Sequence, residues 1–178
     1  MVAQLETPTL NSNRNLSYLV TGLVQVFTSS RRSFFTTVMA QALRIAGQGT
    51  PVLIVQFLKG GIGQGHEKPI QMGKNLDWVR CDITRSIDDS QIDDLEKRAL
   101  QQLWEYTQKI VSTGKYSLVV LDELNLAMNF GIIPESEVVE FLAQRPPHID
   151  IIFTGPQMPQ SLLDVADQIT EIRRSHQI

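Results

Sequence analysis

LVQVFTSSRRSFFTTVMAQALRIAGQGTPVLIVQFLKG, running from Leu23 to Gly60, decides the fold. Leu23, Val24, Val26 and Phe27 form a short apolar run of the kind a buried parallel strand shows. Thr28 to Ser33 is polar and offers side chains for a helix N-cap. From Phe34 to Ala46 the apolar residues Val38, Met39, Ala42, Leu43 and Ala46 recur at helical spacing on one face. Gly47 and Gly49 end that helix, and Val52 to Phe57 returns as a second apolar strand. The pattern is a βαβ unit. Such folds hold phosphate groups in the loop ahead of the helix, because the helix N-terminus presents unpaired N–H groups and positive dipole.

The loop lacks the parts that task uses. A phosphate cradle takes glycines so that backbone N–H groups close around the anion, a Lys for the outer phosphates, and a Ser or Thr for magnesium. Here the sequence is Thr28, Ser29, Ser30, Arg31, Arg32, Ser33, Phe34, Phe35, Thr36, Thr37, with neither Gly nor Lys. Of the two phenylalanines, one is expected to fill the core and the other to cover it.

The bulk composition bounds the class. The length of 178 residues fits one domain, with 42% hydrophobic and 20% charged residues describing a folded globular protein. A polar arm is expected over residues 1–14, and a single α/β domain over 15–178. A net charge of −3 gives no electrostatic case for nucleic acid. One cysteine, Cys81, excludes an internal disulfide and a cysteine-based zinc site, and fits a reducing compartment. No apolar run has the length of a membrane span and no signal-peptide core stands at the N-terminus, so a cytoplasmic protein without a membrane partner is expected.

Farther along, Gly60-Gly61-Ile62-Gly63-Gln64-Gly65-His66 follows a strand with no helix behind it, which favours a surface loop over a dinucleotide fingerprint. Trp78, Val79 and Cys81 suggest a short strand. Ser90 is placed as the cap of a long helix from Gln91 to Ser112, with Leu95, Leu103, Trp104 and Ile110 as core. Ser117 to Leu121 is a buried strand ending in Asp122-Glu123. In an open α/β sheet that end faces the ligand crevice. An acidic pair there either holds magnesium through water or serves as a solvated strand end or helix cap. A helix from Pro134 to Gln144, a strand over Ile149–Thr154, a short helix over Pro159–Ala166 and a last strand at Gln168–Ile172 complete the pattern. Strands alternating with helices imply a mostly parallel sheet covered on both faces, a three-layer α/β fold.

With these pieces placed, the chain resembles the P-loop-type ATP:corrinoid adenosyltransferases. Ala42-Leu43-Arg44-Ile45-Ala46-Gly47-Gln48-Gly49 is similar to that family's helix end and turn. Val55-Gln56-Phe57-Leu58-Lys59-Gly60 is similar to its V-Q-F-x-K-G strand end, and Val119-Val120-Leu121-Asp122-Glu123-Leu124-Asn125 to its V-L-D-E-[IL]-N acidic strand end. Gly131-Ile132-Ile133, Arg145-Pro146, Thr154-Gly155 and Ala166–Glu171 fall where the family has G-L-L, R-P, T-G and A-D-x-V-T-E. The resemblance implies a fold of the P-loop NTPase type. It implies transfer of the 5′-deoxyadenosyl group of ATP to the Co(I) of a corrinoid such as cob(I)alamin or cob(I)yrinic acid a,c-diamide, with ATP, Mg2+ and corrinoid as ligands. The implied crevice comprises the loop residues Thr28–Ser33 and Thr36, the acidic pair Asp122 and Glu123 (a metal site through water), and Gln56, Lys59, Asn125 and Thr154.

Against the family's T-G-x-G-K-G-K-T-T, Thr28 and Thr36 keep the outer threonines. Ser29, Arg31 and Ser33 fall on glycines, Arg32 on the first Lys, Phe34 on the second Lys and Phe35 on the metal-binding Thr. Phe34 forfeits a charge-assisted hydrogen bond to phosphate of about 1.5–3 kcal/mol. The family's aromatic segment near the corrinoid is replaced by Arg85–Ser90, Pro156 stands where an Arg usually follows T-G, and the family's C-terminal tail has no counterpart before Ile178. Two readings result. The first is a non-catalytic relative that binds a protein partner, a second copy, an anion or a modified ligand, with no resident cofactor assigned. The alternative is a working adenosyltransferase that uses Lys59, Asp122 and Glu123.

Overall fold

In the computed structural model, residues 21–61, 63 and 65–173 are described, so the arm expected over 1–14 lies outside them. The chain runs β1 (Val24–Ser29), α1 (Thr36–Gly47), β2 (Val52–Gln56), β3 (Ile70–Met72), β4 (Leu76–Arg80), α2 (Asp94–Ser112), β5 (Leu118–Asp122), α3 (Leu124–Asn129), α4 (Glu135–Gln144), β6 (Asp150–Pro156), α5 (Gln160–Val165) and β7 (Gln168–Ile172). The strands form one seven-stranded sheet in the order β3-β4-β2-β5-β6-β1-β7. Every pairing is parallel except β3 with β4. The mostly parallel α/β sheet expected from the alternating pattern is therefore the fold.

The two faces are covered unequally. Val26, Leu53, Val55, Val119, Leu121, Ile151 and Phe153 share one core with Leu100, Leu103, Trp104, Val138, Phe141 and Leu162, so α2, α4 and α5 lie on that side. On the other face Val52, Ile54, Leu76, Leu118, Val120 and Ile152 pack under Phe35, Val38, Met39, Ala42 and Ala46, the buried side of α1. β2 and β5 are buried at every position, as central strands covered on both faces must be.

Several boundaries differ from the sequence reading. The long helix begins at Asp94, not Gln91. Asp93, not Ser90, caps it in a reciprocal box with Glu96, which satisfies two orphan N–H groups at once. Leu95, expected in the core, is 73% exposed, because it lies off the buried stripe of Glu96, Leu100, Leu103, Thr107 and Val111. α1 starts at Thr36 with Phe35 at its N-cap and no side-chain cap, so the polar loop does not cap it. β3 and α3 were not anticipated: both are shorter than the windows in which periodicity is legible.

Candidate functional site

The site is built on a transverse row of residues at the C-terminal ends of four strands. Arg80 of β4 is level with Gln56 of β2, Gln56 with Asp122 of β5, and Asp122 with Thr154 of β6. Parallel neighbours in register bring their side chains to within roughly 5 Å along the sheet. The Gln56 Oε1 accepts from Trp78 Nε1 at 2.9 Å and Arg80 Nε at 2.8 Å, and its Nε2 donates to Asp122 Oδ2 at 2.7 Å. Lys59 Nζ reaches the same oxygen at 2.8 Å, and Thr154 Oγ1 donates to Asp122 Oδ1 at 2.7 Å. Gln56, Asp122 and Thr154 are fully buried, so this network replaces all the water they would otherwise bind.

Glu123 follows with φ 63°, a left-handed conformation uncommon outside Gly, Asn and Asp. That turn swings its carboxylate away from the sheet end, where it is 1% exposed. Both of its oxygens accept from Arg32, from Nε and Nη2, each at 2.5 Å. Arg32 also donates through Nη1 to the Ile87 carbonyl and to Asp88 Oδ1. The bonds from Glu123 push the Arg32 guanidinium above its ordinary pKa, against the lowering effect of partial burial. One side chain thus ties three segments together: the β1–α1 loop, the acidic end of β5 and the connection after β4.

Arg32, carried by the loop after β1, meets the acidic pair from two strands away. β1 and β5 are not neighbours; β6 lies between them, so Arg32 spans the crevice rather than a single strand gap. Arg31 is exposed, and Ser30 lies at the exposed tip of the loop. The Ser29 hydroxyl donates back to the Arg31 carbonyl at 2.5 Å and lies 3.4 Å from the Ser33 hydroxyl, closing the loop on itself. No residue from Thr28 to Thr36 has positive φ. The alternating backbone turn that gathers several N–H groups around an anion is therefore not formed. Phe35 fills the core at 2% exposure while Phe34 is 53% exposed, with Lys59 Nζ 5.4 Å from its ring centre. Asn125 lies at the back of the crevice, its amide N–H donating to the Pro156 carbonyl. At Gly155, where φ is 155°, a Cβ would overlap the Asn125 Oδ1.

Direct coordination of magnesium by the acidic pair does not fit this arrangement. All four carboxylate oxygens of Asp122 and Glu123 accept from protein donors, and a divalent cation there would have to displace Lys59 and Arg32. The described residues contain no group of three or more His, Cys, Asp or Glu placed to hold a metal. The segment Arg85–Ser90 is likewise committed to structure. Arg85 pairs with Glu96 at 2.7 and 3.0 Å, Ile87 is buried with its N–H on the Leu58 carbonyl, and Asp88 holds Arg32.

Trp78, Arg80, Ile87 and Asp88 belong to the site and were not singled out by sequence reasoning. The signal for Arg80 was its place two residues beyond Trp78 at a strand end, but only the register with Gln56 makes it a member. A surface cleft of about 560 Å3 between α2 and α4 is lined by Val111, Glu137, Phe141 and Arg145 and shares no residue with the crevice. No described helix is long and apolar enough to cross a membrane.

Comparison with known proteins agrees with the residues. The sequence model of the family described as ATP:corrinoid adenosyltransferase BtuR/CobO/CobP matches residues 20–178. A corrinoid adenosyltransferase of Sinorhizobium sp is 27% identical over 163 residues, covering 85% of this chain and 72% of the relative. One from Escherichia coli K12 is 28% identical over 153 residues, covering 85% and 76%. An uncharacterized protein of Nostoc sp. PCC 7120 is 29% identical over 170 residues, covering 88% of this chain and 45% of that protein.

Proposed function

Since this chain belongs to the ATP:corrinoid adenosyltransferase family, we propose that it keeps the family's crevice but works by binding an anion at its mouth, with Arg32 standing where the loop lysine and the metal would act. The observation that carries this reading is the two-pronged Arg32–Glu123 pair. A buried carboxylate neutralised by a protein guanidinium has no charge left for a divalent cation, and a guanidinium so engaged is not free to meet a triphosphate. The backbone of the loop supports the same reading, since no left-handed residue turns its N–H groups inward. Arg31, exposed beside Arg32, supplies the charge that an incoming anion meets first.

The names of the relatives favour a second reading, a working adenosyltransferase that moves the 5′-deoxyadenosyl group from ATP to a Co(I) corrinoid. It requires Arg32 to leave Glu123 and pair with the triphosphate, with Lys59 beside it. One experiment separates the two. Calorimetry with ATP, with and without magnesium, is paired with an anaerobic adenosylation assay on reduced corrinoid. The binding reading expects weak ATP binding that magnesium does not strengthen, and no adenosylated product. Magnesium-dependent tight binding with turnover at an ordinary adenosyltransferase rate overturns it and establishes the second.

A further inference from the structure

Arg32 holds two carboxylates of opposite character. Its Nε and Nη2 bond the buried Glu123, while Nη1 bonds Asp88 Oδ1 at 2.5 Å, and the Asp88 side chain is 80% exposed. The buried pair is fixed, because Glu123 without its guanidinium would remain a charge removed from water. The exposed pair is not fixed. Solvent screens it and hydrates Asp88 equally well alone, so such a contact contributes little and exchanges readily. Nη1 carries two hydrogens, and the second goes to the carbonyl of Ile87, a residue whose side chain is buried. Of the groups that accept from Arg32, only the Asp88 carboxylate can turn into water without uncovering a buried charge or moving the core. Beside it stands Arg31, exposed and with no side-chain acceptor among the described residues.

We propose that Asp88 is a built-in stand-in for the anion. A ligand carboxylate or phosphate takes its place on Arg32 Nη1, with Arg31 as the second cation, while Glu123 keeps Nε and Nη2. The inference rests on the anion-binding reading above and adds to it the donor atom, the ligand class and an internal competitor. The class follows from the bond that is replaced. A guanidinium N–H that already holds a carboxylate oxygen accepts another oxyanion oxygen in the same geometry. Two adjacent arginines favour a terminus with two charged oxygens over one with a single charge. Because the ligand has to displace Asp88, the natural chain binds it more weakly than the same site would with Asp88 turned away.

The test titrates inorganic phosphate and acetate separately into the full chain by calorimetry, at fixed ionic strength. Asp88→Asn should bind each anion about fivefold more tightly than the natural chain does, and phosphate more tightly than acetate. Asp89→Asn removes the same charge one residue along, where the carboxylate accepts from the Gln91 N–H and not from Arg32. It should change either affinity by less than about twofold, since a solvated charge without contact is largely screened. Equal affinities in the natural chain and Asp88→Asn, or a gain in Asp89→Asn as large as in Asp88→Asn, overturns the role of Asp88 and leaves the anion reading standing. Acetate bound as tightly as phosphate by Asp88→Asn overturns the part given to Arg31. Binding of neither anion at millimolar concentration, by either chain, overturns the anion reading and this inference with it.

Discussion

The two sides of the crevice obey different constraints. On the sheet side Gln56, Asp122 and Thr154 sit in register on adjacent strands, and each buried polar atom of Asp122 has a named donor. Changing any one leaves a desolvated group behind. On the loop side Ser29 to Phe34 is held by its own hydroxyl bonds and by one arginine, with Arg31 and Phe34 in solvent. A loop so exposed can vary in residue type at little cost to the fold. The residue types of one wall are thus freer to vary than those of the other, which the sheet needs.

The sharpest test of that difference sets the two adjacent phenylalanines against each other. Phe35→Ala should cost about 3–5 kcal/mol, because it empties the floor of the α1 core, whereas Phe34→Ala should stay within about 0.5 kcal/mol. Urea denaturation reads both, and equal effects would erase the distinction between the core-facing and solvent-facing ends of the loop.

Arg32 links the two walls, so its removal should fall between these extremes. Arg32→Ala removes both hydrogen bonds to the buried Glu123 carboxylate and leaves only Lys59, 3.9 Å away, as its ion-pair partner. With Arg32 itself 26% exposed, water softens the loss to about 2 kcal/mol. Adding Glu123→Gln to Arg32→Ala should restore part of it, the coupling a double-mutant cycle measures. Strict additivity would show the pair to be ornamental.

The smallest effect is a matter of pH. Burial pushes the Cys81 thiol, which continues β4 past Arg80, from its ordinary 9.0 up to about 12. A pKa raised on folding contributes stability that is complete below pH 9 and is lost as pH rises toward 12, because the unfolded chain releases the proton first. Tyr116, raised by burial and by its bond to Asp77 to about 12, adds to the same slope from pH 10. The urea midpoint of the natural chain should fall more steeply between pH 9 and 11 than that of Cys81→Ala. Parallel curves would place the thiol in contact with solvent.

How much of this was legible in the sequence follows from which interactions are local. The four central strands, the α1 stripe of Val38, Met39, Ala42 and Ala46, and the acidic end of β5 were readable because alternation of apolar runs and helical spacing is a local property of the chain. So was the composition of the β1–α1 loop, since glycine and lysine are either present between Thr28 and Thr36 or they are not. The start of α2 was misplaced by three residues because Ser90 and Asp93 are both good caps. The choice fell to Asp93, whose partner Glu96 closes the box and in turn anchors Arg85.

What the sequence determined by itself was the kind of fold and the residue types of the β1–α1 loop, which holds neither Gly nor Lys from Thr28 to Thr37. Only tertiary structure decided the strand order that puts β6 between β1 and β5, the register that makes Arg80 a neighbour of Gln56, and the reach of Arg32 across the gap to Glu123. Each of these joins residues far apart in the chain. Their pairing is set by how the strands stack and twist, which no local pattern of side chains encodes.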